Sequence, residues 1–127
     1  MTYFADDLKA YLITQNLIDS GTFIDFAEDT TENAGELTAI NFYDSNAPRS
    51  EYSIQFVCRR ENQIEALGVV GGIYSHLFGD KNPPENKSLI INTEPCLFIP
   101  KSQPGFLKRE NQMYNYYFDC AVIVGKI

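Results

Sequence analysis

The sequence predicts an α+β chain: residues 1–127 as a single domain, with one mixed, mostly antiparallel sheet and two helices packed on one face. Three observations carry that expectation. Two segments, near 3–16 and 63–78, repeat apolar residues at helical spacing. The remaining apolar residues alternate with period two or form short runs bounded by turn formers. These strand-like runs are grouped, three before the second helix and two or three after it, which favours antiparallel pairing over a regular alternation of strand and helix. With 44% hydrophobic residues, 127 residues suffice for one continuous core.

The first helix is expected from Tyr3 to Asn16. Phe4, Leu8 and Leu12 fall at i, i+4 and i+8 with Tyr11 beside them, Thr2 can cap the start, and Asp6 and Asp7 suit the positive end of the dipole. Thr22–Phe26 reads as a short strand and Ala27–Glu36 as an acidic loop. Leu37–Tyr43 is the next strand, followed by turn formers over Asp44–Pro48. Tyr52, Ile54, Phe56 and Cys58 then alternate with Ser53, Gln55, Val57 and Arg59, as in a strand with one core face.

The second helix is the best marked. Asn62 with Glu65 three residues on is a capping-box variant, Ile64, Leu67, Val70, Tyr74 and Leu77 form the apolar face, and Gly79 followed by Pro83-Pro84 stops it. Its glycines, Gly68, Gly71 and Gly72, each cost about 0.8–1 kcal/mol relative to Ala. Close approach of the sheet or of a neighbouring subunit is the expected reason for them. Leu89–Thr93 reads as a short strand and Pro95–Pro100 as another near an edge, because of its prolines. Lys101–Asn111 reads as a polar loop with Phe106-Leu107 at its tip, and Met113–Val124 as a long final strand.

Charge is distributed unevenly. The net charge is −7, and residues 1–36 hold eight acids against the single base Lys9, so the remainder is neutral. Such a chain has no general attraction for nucleic acid or an anionic membrane. No apolar run approaches the roughly 20 residues of a membrane span, and the first residues lack the pattern of a secretory signal. Cys58, Cys96 and Cys120 are widely spaced and odd in number, which points to buried apolar thiols rather than a disulfide framework or zinc site.

Catalytic, cofactor and metal sites are not expected. The lone His76 falls away from the apolar face near the helix C-terminus, where a cation suits the dipole. Gly68-Val69-Val70-Gly71-Gly72 lacks the Lys-Ser/Thr of a phosphate loop and the strand of a dinucleotide fingerprint. The acids between Asp25 and Glu36 lack the spacing of a calcium loop. Composition alone leaves room for a small acidic protein-binding module, an adaptor or inhibitor that sets its acidic loop against a basic partner.

Ser53 to Ala66, continuing through Ile73-Tyr74-Ser75-His76-Leu77, is a strand that runs through Arg59-Arg60-Glu61 directly into a helix. With the N-terminal amphipathic helix and the aromatic final strand, this segment resembles the tail-terminator or tail-completion (minor capsid) family of long-tailed bacteriophages. The resemblance covers the order of elements over nearly the whole chain. It implies a non-enzymatic virion protein without a cofactor. The protein would form a ring, commonly a hexamer, at the head-proximal end of the tail, after assembly in the host cytoplasm. Its partners would be copies of itself, the tail tube protein and the head-completion or connector protein. DNA would pass through the ring without specific binding, favoured by an acidic lumen. Arg59, Arg60 and Glu61, at the junction of strand and helix, and Phe106 and Leu107 are the expected subunit-interface residues. Reversing both arginines to Glu is expected to block assembly without unfolding the monomer.

Overall fold

The computed structural model describes residues 4–25, 35–46, 51–110 and 112–125. The order is α1 (Phe4–Thr14), β1 (Phe23–Asp25), β2 (Leu37–Asn46), β3 (Glu51–Arg60), α2 (Gln63–Phe78), β4 (Lys87–Ile91), β5 (Glu94–Pro100), β6 (Gly105–Glu110) and β7 (Met113–Val124). The acidic stretch over 27–34 and the turn residues 47–50 lie outside the described residues.

The fold is α+β, with one mixed sheet in the order β1-β2-β3-β7-β5-β4 and β6 pairing with β7. Among the described strands, only β1 with β2 is parallel. β7 is the organising strand. Tyr114–Ile123 pair with β3, while the other side of β7 takes β6 over the first half and β5 over the second. Pro95–Pro100 lies near an edge as expected: β5 sits between β7 and the edge strand β4. Its prolines sit at the second and last positions, where a missing N–H costs the ladder least.

Two expected loops become strands. Residues 105–110 form β6, because pairing with β7 gives their backbone the partners that a polar loop would seek in water. β2 continues through Asp44, Ser45 and Asn46 opposite Ser53, Tyr52 and Glu51, with an irregularity after Phe42 that admits the extra residue.

Both helices cover one face of the sheet. α2 lies over Phe118 and Phe56, whose rings stack at 4.9 Å, and Tyr74 and Phe78 meet Phe118 edge-on at 5.3 and 6.4 Å. α1 buries Ala5, Leu8 and Leu12. Its Phe4 stacks on Tyr52 and meets Phe42 edge-on. α1 ends at Thr14, two residues before the expected Asn16, because Asn16 turns left-handed (φ 60). Asn16 N–H donates to Ile13 O and Leu17 N–H to Leu12 O, so Asn16 takes the place that Gly usually fills in this stop.

β4 and β5 join through Asn92-Thr93, with φ of 49° and 67°. Two left-handed residues make the turn favoured by the strand twist, but a β-branched residue is strained there. Thr93→Gly is therefore expected to stabilise the protein by about 0.5–1 kcal/mol, read from the urea midpoint.

Cys58, Cys96 and Cys120 are free and buried. Burial raises all three thiols: Cys96 to about 11, Cys120 further, and Cys58 against the opposing pull of the Arg60 charge and the Thr38 hydrogen bond. The native state thus holds the neutral form while the unfolded chain ionises above about pH 8.5. The stability that the neutral thiols contribute is complete below that pH and is lost as the pH rises through the native values. Urea midpoints are expected to stay level across neutral pH and to fall from about pH 8.5 upward. Native thiols should react slowly with an alkylating reagent, and all three quickly once the chain is unfolded.

Candidate functional site

The junction of β3 and α2 is built from both faces of one strand. Successive residues of a strand point to opposite sides, so Arg59 and Arg60 part company. Arg59 is 3% exposed and donates from Nε to Gly35 O at 2.9 Å. Arg60 turns to the helix side. Its Nη1 donates to Leu37 O and Arg59 O, both at 2.8 Å, and its Nη2 to Thr38 Oγ1 at 2.9 Å. Its Nε lies 3.2 Å from Glu65 Oε1. One guanidinium thus ties the start of β2, the end of β3 and the first turn of α2 together. Glu61 is exposed, and its N–H donates to Glu36 Oε2 at 2.9 Å. Of the three expected interface residues here, Glu61 alone faces solvent.

An open cleft of about 430 Å³ lies beside this junction, lined in part by Asp19, Phe23, Glu36, Arg60 and Glu65. It sets three carboxylates against one guanidinium that is already engaged. Phe23 stands at its rim, 46% exposed. In the sequence Phe23 reads only as part of a strand. Nothing local marks it as exposed, because its exposure follows from the edge position of β1.

Phe106 and Leu107 are exposed, on a strand rather than at a loop tip. Phe106 pairs with Tyr116 and Lys108 with Asn115, so Leu107 is the extra residue of a bulge. The Phe106 ring lies 5.5 Å from that of Tyr116, and Arg109 sits over Tyr114 at 5.2 Å. Tyr116 also takes a 2.6 Å hydrogen bond from Gln63 Nε2, so β6 and the first turn of α2 meet at the same tyrosine. The structure does not bring Phe106 and Leu107 together with the two arginines. They lie on different strands, separated by β7.

α2 begins and ends as its sequence signals require. Asn62 Oδ1 accepts from Glu65 N–H at 3.0 Å, and Gly79, with φ 67, donates to Ser75 O at 2.8 Å. Its apolar face is narrower than expected. Ala66, Val70, Ile73, Tyr74, Leu77 and Phe78 are buried, whereas Ile64 is 83% and Leu67 42% exposed. At 100° per residue, Ile64, Leu67 and Gly71 fall on an adjoining strip that the sheet does not reach. His76 departs from its expected exposed position: its Nε2 is 2.8 Å from Tyr11 Oη, which links the two helices.

The expected close approach at the glycines is not found within the chain. A Cβ at Gly68 or Gly71 would meet nothing within 4 Å, and one at Gly72 would only touch Leu17 at 4.0 Å. Gly68→Ala and Gly71→Ala are each expected to stabilise the monomer by about 0.8–1 kcal/mol in denaturant titration.

A smaller cavity of about 290 Å³ lies at the C-terminal end of α2, between Ser75–Lys81 and Glu85–Lys87. Among the described residues, no group of His, Cys, Asp and Glu is arranged to hold a metal ion, and no helix is long and apolar enough to cross a membrane. No protein-family model, curated protein or solved structure matches the chain.

Proposed function

We propose that this protein is a structural subunit of a long-tailed phage virion. It would be a tail terminator that closes into a ring at the head-proximal end of the tail and joins the tail to the head. Its partners are further copies of itself, the tail tube protein and the head-completion or connector protein.

The observation that carries the reading is a surface with apolar side chains exposed at separated places. Phe23 stands at one edge of the sheet, Phe106 and Leu107 at another, and Ile64 with Leu67 on the flank of α2. A ring subunit that also touches a tube below and a connector above needs several separate contact areas, and these three places each offer exposed apolar side chains for one. The likeness of the strand–arginine–helix segment Ser53–Leu77 to tail-terminator proteins supplies the particular assembly.

The experiment is to inactivate the gene in the phage that encodes it and to image the lysate. Filled heads and separate tails that join on addition of the purified protein are the expected result. Complete, infective virions formed without the protein would overturn the proposal.

A further inference from the structure

The strand registers place two open edges at opposite ends of one transverse row. Gly105 of β6 pairs with Tyr117 of β7, Tyr117 with Val57 of β3, Val57 with Ala39 of β2, and Ala39 with Phe23 of β1. This five-strand row is roughly 19 Å across. Neither β6 nor β1 has a second neighbour among the described residues.

The two edges differ in charge, and each exposes a phenylalanine, Phe106 on the helix-covered face and Phe23 on the other. The stretch 101–110 that leads into and forms β6 holds Lys101, Lys108 and Arg109 against the single acid Glu110, with Phe106 52% exposed. Beside β1 lies the cleft with Asp19, Glu36 and Glu65 against the engaged Arg60, with Phe23 46% exposed. Strand direction fits as well. β6 is antiparallel to β7, β7 to β3 and β3 to β2, while β1 runs parallel to β2. β6 and β1 therefore run in opposite senses. When one copy is set beside the next in the same orientation, β6 of the first meets β1 of the second as an antiparallel pair.

We infer that these two edges dock on each other between copies: the basic β6 edge of one subunit, with Phe106 and Arg109, seats against the acidic β1 edge of the next, with Phe23 and Asp19. The occupant of each edge is a second copy of this chain. The contact is heterologous, since different surfaces meet, and a heterologous contact generates a ring when its rotation closes. Opposite charges fix the register and exclude like edges from pairing. This inference deepens the proposed ring and rests on that reading.

The test joins the two edges covalently in the full chain. Phe23→Cys and Phe106→Cys are made singly and together, and treated with a short bismaleimide. The native thiols are buried and do not compete. The double variant is expected to give a ladder of cross-linked species beyond the dimer, and each single variant only background. A strong dimer from Phe106→Cys alone would show two β6 edges meeting and would overturn the inference. Arg109→Glu is expected to raise the concentration for half-assembly at least about tenfold, and Asp19→Arg likewise. Mixing these two variants should restore assembly, because each swapped edge then finds its complement in the other variant. Wild-type rings without a ladder from the double variant would reject these edges and leave the ring standing. Monomers at every concentration without a ladder would reject both.

Discussion

Phe118→Ala is expected to destabilise the protein by about 3–5 kcal/mol, enough to unfold a chain of ordinary stability. Phe118 is fully buried on the central strand. It stacks on Phe56 below α2 and receives Tyr74 and Phe78 edge-on, so its removal empties the place where β3, β7 and α2 meet. The surrounding groups cannot collapse into the gap, because the sheet ladder fixes Phe56 and the helix fixes Tyr74. Phe118→Leu, which keeps most of the volume, is expected to cost less than half as much. Urea titration followed by far-ultraviolet circular dichroism measures both. A loss below about 1 kcal/mol for the alanine variant would contradict this packing.

Arg60→Ala is expected to cost about 2–4 kcal/mol, and the joint change of Arg59 and Arg60 to Glu to unfold the chain. Arg60 satisfies the carbonyls of Leu37 and Arg59 and the hydroxyl of Thr38. The ion pair with Glu65 adds little, since that carboxylate is more than half exposed. Arg59→Glu places a carboxylate where the native side chain is 3% exposed, in front of the Gly35 carbonyl. The double reversal is thus expected to remove the monomer rather than to spare it and block assembly. Circular dichroism of the purified double variant decides between these outcomes. Arg60→Lys should recover only part of the loss, because an ammonium lacks the planar fork that reaches three acceptors at once.

Those arginines illustrate what the sequence made legible and what it did not. Their position at the end of β3 was readable from the alternation, and so was their divergence to opposite faces. Their partners were not, because Gly35, Leu37 and Thr38 come from the start of β2 and the approach to it, more than 20 residues away in sequence. α2 and β7 have the expected limits because their signals are local: Asn62 and Gly79 for the helix, a long period-two run for the strand. β6 was missed because Lys101–Asn111 is polar and contains Pro104-Gly105; its strand character comes from β7. By helical spacing Ile64 and Leu67 read as part of the apolar face with Val70, Tyr74 and Leu77, yet they are exposed, because the buried stripe of Ala66, Val70, Ile73 and Leu77 is narrower. The Tyr11–His76 link spans 65 residues and has no local signature. Phe106 and Leu107 were singled out and are exposed, whereas the complementary edge at Phe23 became visible only through the sheet order.

The most direct test of the central claim is the mass of the protein in solution, measured by light scattering across a range of protein and salt concentrations, with negative-stain images of the largest species. The proposed function calls for a closed ring of about six subunits with a central hole, with a population that falls as salt screens the charged edges. A monomer mass at every concentration and salt, with no ring in the images, would contradict it.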